Sequence, residues 1–299
     1  MADAARIGLA GFTLIRSRPR AVLAWGFVYL LFGIVTSLVT RPLMAEMIRA
    51  MPAAGAAAPA PAIPPGLWPA LLAVNLGSSG MLLVLLAAAM RAVLKPEEQG
   101  AYFIRVGMDE LRLLGTTILL LLIGLGAYLA MILVVAIVIV GGAAIFAGTV
   151  GTSAADGGAA AIFVVLAALL SVSLLMASMI ALQTRFALAL PLTLVRGRVV
   201  VLEGWRRSRG HFWPLLGGFA IAGMIVSAVS LLLFLPMLIV LLGSGGGVVG
   251  LADPSRQIAI MHSPWLYPMW LLAPLLGGFF IAMTGGSLGQ ALLETEAAG

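Results

Sequence analysis

The sequence predicts an all-α fold, a polytopic bundle of six transmembrane helices with three amphipathic helices at the cytoplasmic interface. Apolar residues make up 62% of the 299 and charged residues only 9%, whereas a soluble domain carries roughly 25% charged residues. Six apolar stretches reach the length of about 20 residues that crosses the hydrocarbon of a bilayer. Basic residues concentrate on alternate connections between these stretches. Water is therefore not the solvent for most of this chain.

The six predicted spans form one integral membrane domain over residues 1–299. They are Ala21–Thr40, Leu67–Leu94, Leu113–Ala144, Ala160–Leu190, Trp213–Leu242 and Trp265–Leu293. The longer ones are expected to tilt. The first is longer than the apolar region of a secretory signal, roughly 7–15 residues, so we predict an uncleaved span.

The basic residues predict the orientation of the spans. Fourteen of them share one side of the predicted membrane. They precede span one, lie at or between the neighbouring ends of spans two and three, or lie at or between the neighbouring ends of spans four and five: Arg6, Arg16, Arg18, Arg20, Arg91, Lys95, Arg105, Arg112, Arg185, Arg196, Arg198, Arg206, Arg207 and Arg209. The opposite side has only Arg41, Arg49 and Arg256. By the positive-inside rule, both termini are cytoplasmic in a bacterial inner membrane.

The net charge of +6 also predicts a partner. Because the basic residues flank apolar spans, we expect them to bind anionic lipid headgroups of the cytoplasmic leaflet rather than nucleic acid. The candidate headgroup ligands are Arg16, Arg18, Arg20, Arg206, Arg207 and Arg209.

Each cytoplasmic connection contains a short amphipathic segment that we predict to be a helix in the membrane interface. In the second segment, Pro96, Glu97 and Glu98 provide a proline and acids suited to a first helical turn. The apolar residues are Ile7, Phe12, Leu14 and Ile15 in the first, Tyr102, Phe103 and Val106 in the second, and Leu202, Trp205 and Phe212 in the third. The outer connections, such as the Pro/Ala-rich residues 51–66, have no predicted regular structure.

The chain also divides into three similar units of interfacial helix, span, outer loop and span. Their bounds are about 4–94, 96–190 and 199–293. This pattern indicates either a three-fold pseudo-repeat or only the general habit of membrane hairpins.

Small residues spaced by four predict where helices pack closely in lipid. The candidate packing positions are Gly126, Ser173, Gly223, Ser227, Gly278, Gly285 and Gly289. Pro236 and Pro274 lie inside spans five and six and are expected to kink them. They are hinge candidates for a carrier, although a neighbouring helix can satisfy the freed backbone groups in a static bundle.

No catalytic, cofactor or metal site is predicted. The chain has no cysteine, which excludes thiolate chemistry and Cys-ligated metals. The Asp109–Glu110 pair has Arg105 and Arg112 at helical salt-bridge spacing, so we predict a solvated, locally neutralised face rather than an acid/base pair. His211 and His262 are predicted to be interfacial aromatic residues.

Two segments resemble known bacterial membrane proteins. The segment from Trp205 to Trp213 (WRRSRGHFW) resembles an element of the membrane domain attached to some glycerophosphodiester phosphodiesterases. Residues 91–98 (RAVLKPEE) with 107–113 (GMDELRL) resemble a group of uncharacterised alphaproteobacterial proteins. In the phosphodiesterases the catalytic domain is a separate soluble barrel. Because this chain ends at Gly299, soon after its last span, the resemblance implies the membrane module without that activity.

Three functions follow as hypotheses. The first is a non-enzymatic module that acts through lipids or protein partners, including a second copy of the chain. The second is a carrier of a hydrophobic or lipid-like solute without ion coupling, because the spans have no ionisable residue near mid-bilayer. The third is an enzyme at the cytoplasmic surface that uses Asp109, Glu110 or His211.

Overall fold

A computed structural model describes residues 3–50, 66–98, 100–149, 154–243 and 266–298. All regular structure in these ranges is helical. The elements are α1 (Ala4–Ser17), α2 (Pro19–Ala50), α3 (Leu67–Leu94), a 3-10 helix (Gly100–Phe103), α4 (Met108–Thr149), α5 (Ala154–Phe186), α6 (Ala189–Arg196), α7 (Val201–Ser208), α8 (Phe212–Gly243) and α9 (Leu266–Ala297).

The predicted all-α membrane architecture is confirmed. Six helices are long and apolar enough to cross a bilayer, and each contains or overlaps one predicted span. Large apolar side chains such as Leu38, Leu72 and Leu121 are more than 60% exposed. Such a surface is unfavourable in water but suits contact with lipid. The fourth span differs in one respect, because its helix ends at Phe186 and α6 follows as a separate helix.

Contacts between residues divide the chain into two compact units. Unit 1 comprises Met1–Glu110 and Gly217–Gly299, and unit 2 comprises Leu111–Leu216. The three-fold repeat stays a prediction. Its hairpins differ in one element, because an α-helix precedes the first span of the first and third hairpins, whereas a 3-10 helix occupies this place in the second.

Helix α9 is the centre of unit 1, where it packs against α1, α2 and α3. In its most apolar window 67% of the residues are buried, compared with 17% or less in the other five spanning helices. Small residues make this possible. A Cβ built at Gly278 or Gly286 would meet backbone atoms of Gly26 in α2 or Gly11 in α1 at 2.9–3.1 Å. On another face of α9, Cβ atoms at Gly285 and Gly289 would meet Ala89 and Val93 of α3.

The other predicted packing positions have no such neighbour. No described heavy atom lies within 4 Å of a Cβ built at Gly126 or Gly223, so the predicted close contact is absent there in the described chain. Ser173 and Ser227 are exposed, and the Ser173 hydroxyl donates to the Leu169 carbonyl of its own helix. Pro236 and Pro274 lie within α8 and α9, which continue on both sides of them. Their hinge role stays a prediction.

Helix α1 begins at the N-cap Asp3, whose Oδ1 accepts hydrogen bonds from the backbone N–H groups of Ala5 and Arg6 at 2.9 and 3.4 Å. Its apolar side, which includes Ile7 and Leu14, is buried. Within unit 1 this side contacts α9, with Gly11 against the backbone of Met283. The first predicted helix is therefore present, and much of its apolar side packs against other residues of unit 1.

The prediction of an α-helix in the second connection is wrong. Among the described residues of this connection, the regular structure is a 3-10 helix, in which Tyr102 and Phe103 adopt left-handed backbone conformations with φ of 56° and 65°. Tertiary hydrogen bonds explain this difference. Trp25 Nε1 donates to the Tyr102 carbonyl at 3.0 Å, and Arg91 Nη1 donates to the Phe103 carbonyl at 3.3 Å. These side-chain donors engage carbonyl groups that would otherwise bond along a helix.

Unit 2 contains the third predicted interfacial helix as α7. Gly204 lets α7 approach α6, because a Cβ there would lie 2.8 Å from the backbone N of Ala189. The hydroxyls of Thr116 in α4 and Thr193 in α6 are 3.1 Å apart. Of the predicted apolar face, Trp205 packs on the Phe186 ring at a centroid distance of 5.0 Å, whereas Leu202 is 70% exposed.

Candidate functional site

A buried ion pair joins the end of α3 to the start of α4 in unit 1. The side chains of Arg91 and Glu110 are only 2% and 7% exposed, and Arg91 Nη2 donates to Glu110 Oε1. Arg91 also donates to the Phe103 carbonyl, and Asp109 Oδ2 lies 4.0 Å from Arg91 Nη2. A buried charge needs such a partner, because desolvation is costly for each ion alone.

Glu110 has a second role as an N-terminal cap of α4. Its Oε2 accepts a hydrogen bond from the backbone N–H of Gly107 at 2.9 Å. This is the half of a capping box in which a glutamate at the third helical position binds the N–H of the residue before the helix. The predicted solvated face is therefore wrong for Glu110. Arg105 instead forms an exposed ion pair with Glu98 at 3.1 Å.

A cleft of about 440 Å³ adjoins this ion pair and is lined by Arg91 and residues 105–110. Both carboxylate oxygens of Glu110 already accept hydrogen bonds from the protein. The arrangement is therefore suited to fixing the α3–α4 connection. Among the residues with described positions, no group of three or more His, Asp and Glu side chains is placed to hold a metal ion.

A second charged site lies in unit 2, which carries most of the excess positive charge. Unit 2 has seven arginines and two acidic residues, whereas the rest of the chain has ten basic and nine acidic residues. Asp156 is 29 residues from Arg185 along α5, or roughly 44 Å at 1.5 Å per residue. We call the arginines and Glu203 the basic end of unit 2. Its members are Arg112, Arg185, Arg196, Arg198, Glu203, Arg206, Arg207 and Arg209.

Glu203 neutralises little of this charge. Its Oε1 lies 2.9 Å from Arg196 Nη2 and 3.8 Å from Arg207 Nε. Arg198, Arg206 and Arg209 are exposed. None of these three arginines forms an ion pair with a carboxylate in the described ranges of the chain. The basic end therefore presents guanidinium groups that are available to an external anion.

Arg185 is placed differently from the other arginines of the basic end. Its guanidinium carbon lies 5.0 Å from the centroid of the Phe212 ring and 5.7 Å from that of the Trp205 ring. Its Nη1 is buried and has no hydrogen-bond acceptor among the described groups, and His211 Nδ1 is also buried without a partner. In the sequence, Arg185 is only one of the basic residues that predict the orientation, because its contacts come from residues 20–27 positions later in the chain.

The structure places the predicted headgroup ligands in two different environments. Arg16 and Arg20 of unit 1 are exposed. Arg18 lies 4.8 Å from the Phe103 ring centroid and its Nη2 donates to the Pro96 carbonyl at 3.1 Å, so it supports the α3–α4 connection. In unit 2, Arg206, Arg207 and Arg209 all belong to the basic end. His262 lies outside the described residues.

No known protein family, curated protein or solved structure matches the chain. The resemblances of the segments at 91–113 and 205–213 therefore stay predictions.

Proposed function

We propose that the chain is a multi-pass protein of a bacterial inner membrane, with both termini in the cytoplasm. It acts as a non-enzymatic module that engages anionic lipid headgroups through the basic end of unit 2. One observation carries this proposal: seven arginines gather there with Glu203 as the acidic residue among them.

The physical basis is the negative surface potential of the cytoplasmic leaflet. Each basic residue near such a surface gains about 1 kcal/mol of binding free energy, and the gain falls within a Debye length. Exposed Arg206 and Arg209 need no rearrangement to reach headgroups. Trp205 lies among them, and tryptophan is enriched at the depth of the headgroups. This combination favours lipid over a protein partner as the ligand.

Replacing Arg206, Arg207 and Arg209 together with glutamine is expected to lower the retention of phosphatidylglycerol by the purified protein. The three substitutions remove about 3 kcal/mol of electrostatic attraction before screening by salt, at about 1 kcal/mol each. Bound lipid is measured by mass spectrometry after purification in mild detergent, with phosphatidylethanolamine as the reference lipid.

The matched control replaces Arg6, Lys95 and Arg105 with glutamine. It removes the same charge, but all three of these residues already face carboxylates, namely Glu294 for Arg6 and Glu98 for Lys95 and Arg105, whereas in the test variant only Arg207 does. Retention in the control is expected to remain close to that of the wild type. An equal loss in both variants would mean that net charge alone sets lipid retention, and no loss in either would refute the proposal.

The orientation is tested by cysteine labelling, because the native chain has no thiol. Gly66 at the start of α3 and Gly210 before α8 are exposed and have no heavy atom within 4 Å of a built Cβ among the described groups. With a membrane-impermeant reagent on intact cells stripped of their outer membrane, Gly66→Cys is expected to react. Gly210→Cys is expected to react only after permeabilisation. The reverse pattern would overturn the cytoplasmic assignment of the basic end.

A further inference from the structure

We propose that Arg185 forms a binding site for a single phosphate group, with His211 as the candidate second donor. The chemistry that it recognises is a phosphate oxyanion, whose source is either the headgroup of an anionic phospholipid or free phosphate. The inference rests on the proposed function and deepens it, because it adds one saturable site to a surface that attracts lipid by its overall charge.

The first argument is the unsatisfied hydrogen-bonding capacity of Arg185. A guanidinium has five N–H donors and cannot lose its charge in a protein. Its Nη1 is buried, yet no described group accepts a hydrogen bond from it. Buried polar groups are nearly always paired, and a charged one without a partner is especially unfavourable. Glu203, the carboxylate of the basic end, is already engaged by Arg196 and Arg207.

The second argument is the position in which the aromatic rings hold the cation. Trp205 and Phe212 hold the cation within 6 Å of their centroids, the distance of a cation–π contact. Ring faces attract the flat side of a guanidinium, but they do not accept its in-plane N–H groups. Those donors form a rigid fork that matches two oxygens of a phosphate. The rings thus hold the guanidinium without accepting the hydrogen bond of Nη1, which has no acceptor among the described groups.

The third argument is the position of the site along the chain. Arg185 is the penultimate residue of α5, and His211 directly precedes α8. Both therefore lie at helix ends, at the depth where arginines of spanning helices meet headgroups. His211 directly precedes Phe212, and its buried Nδ1 has no hydrogen-bond partner among the described groups. In the tautomer that carries its proton there, this nitrogen is a donor that suits an oxyanion. Arg206 and Arg209 of the same basic end add positive potential.

The test compares Arg185→Gln with Arg105→Gln, which removes the same charge at an exposed arginine outside the basic end. Delipidated protein in mild detergent is titrated with phosphatidylglycerol, and bound lipid is counted by native mass spectrometry. The wild type is expected to show one saturable lipid per chain. Arg185→Gln is expected to weaken this site by about tenfold or more, the equivalent of lost charge-assisted hydrogen bonds. Arg105→Gln is expected to change it by about twofold or less, because this exposed arginine already pairs with Glu98.

Two further arms identify the source of the phosphate and guard against misfolding. Inorganic phosphate is titrated alone and as a competitor. If inorganic phosphate binds more tightly than the lipid, the site is assigned to free phosphate, and if the lipid binds more tightly, it is assigned to the headgroup. Arg185→Lys keeps the charge without the fork and is expected to bind between the wild type and Arg185→Gln, so it remains informative if the glutamine variant does not fold. Equal binding by wild type, Arg185→Gln and Arg105→Gln, or no saturable binding of either probe, would overturn the site.

The outcome is separable from that of the proposed function. Loss of bulk lipid in the Arg206, Arg207 and Arg209 variant, with no effect of Arg185→Gln, refutes the site alone. Loss of the saturable lipid in Arg185→Gln, with bulk retention unchanged in the triple variant, supports the site and refutes the role of the basic end as a whole.

Discussion

Replacing Arg91 with methionine is expected to destabilise the protein by about 3–5 kcal/mol, the range for removing one partner of a buried ion pair. Methionine fills a similar volume but leaves the buried Glu110 carboxylate without its cation. It also removes the hydrogen bond from Arg91 to the Phe103 carbonyl, which helps to hold Tyr102 and Phe103 in their left-handed conformations. The α3–α4 connection is thus expected to loosen together with the ion pair.

The free energy of unfolding is measured in mild detergent by the fluorescence of the tryptophans, one of which, Trp25, is fully buried beside this connection. Arg91→Met, Glu110→Gln and the double variant form a thermodynamic cycle. Glutamine keeps a side-chain oxygen that accepts from the Gly107 N–H, so it isolates the loss of charge from the loss of the cap. The double variant is expected to recover much of the stability, because it leaves no buried charge unpaired.

The exposed pair of Arg105 and Glu98 provides the matched control. Its side chains are 53% and 36% exposed, and exposed ion pairs contribute about 0–1 kcal/mol. Arg105→Met is therefore expected to cost far less than Arg91→Met. Similar costs for the two substitutions would show that the Arg91–Glu110 pair does not stabilise the connection as its burial implies.

The spans could be predicted from the sequence because apolar length is a local property of the chain. Which charged side chains form ion pairs with each other could not be predicted in the same way. Arg91 looks like any basic residue that flanks a span on its cytoplasmic side, and the spacing of Arg105 and Arg112 around Asp109 and Glu110 favoured a different set of partners. The one local sign was a glutamate at the third position of α4, which is typical of a capping box.

The second connection shows how tertiary contacts override a local pattern. Pro96 followed by two glutamates predicts the first turn of a helix. Trp25 and Arg91, from α2 and α3, instead bind the carbonyls of Tyr102 and Phe103. Trp25 lies 77 residues before the carbonyl that it binds, and Arg91 lies 12 residues before its own. Arg185 presents the same difficulty, because its rings come from α7 and α8.

The glycine pattern was informative only where a partner helix lies close. Four-residue spacing in α9 predicted real contacts, because α1, α2 and α3 surround that helix. The same residue type at Gly126 and Gly223 has open space around it in the described chain. Small residues spaced by four allow a second helix to approach closely. Only the fold determines whether a second helix lies there.

Replacing Gly278 with alanine is therefore expected to destabilise the protein, whereas the same change at Gly223 is expected to be neutral or stabilising. A Cβ at Gly278 would collide with the Val22 carbonyl oxygen and lie 2.9 Å from the backbone N of Gly26. These are backbone atoms, which cannot rotate away as a side chain does, so α2 and α9 must separate. Overpacking of this kind costs about 1–3 kcal/mol and occasionally more.

At Gly223 the added methyl meets nothing within 4 Å in the described chain, and alanine is favoured over glycine in a helix by about 0.5–1 kcal/mol. Because the chemical change is identical, helix propensity and side-chain hydrophobicity are matched, and the difference in sign isolates the contact between α2 and α9. Thermal unfolding in mild detergent is expected to show a lower Tm for Gly278→Ala and an equal or higher Tm for Gly223→Ala. If Gly278→Ala were as stable as the wild type, the close backbone contact between α9 and α2 would be refuted.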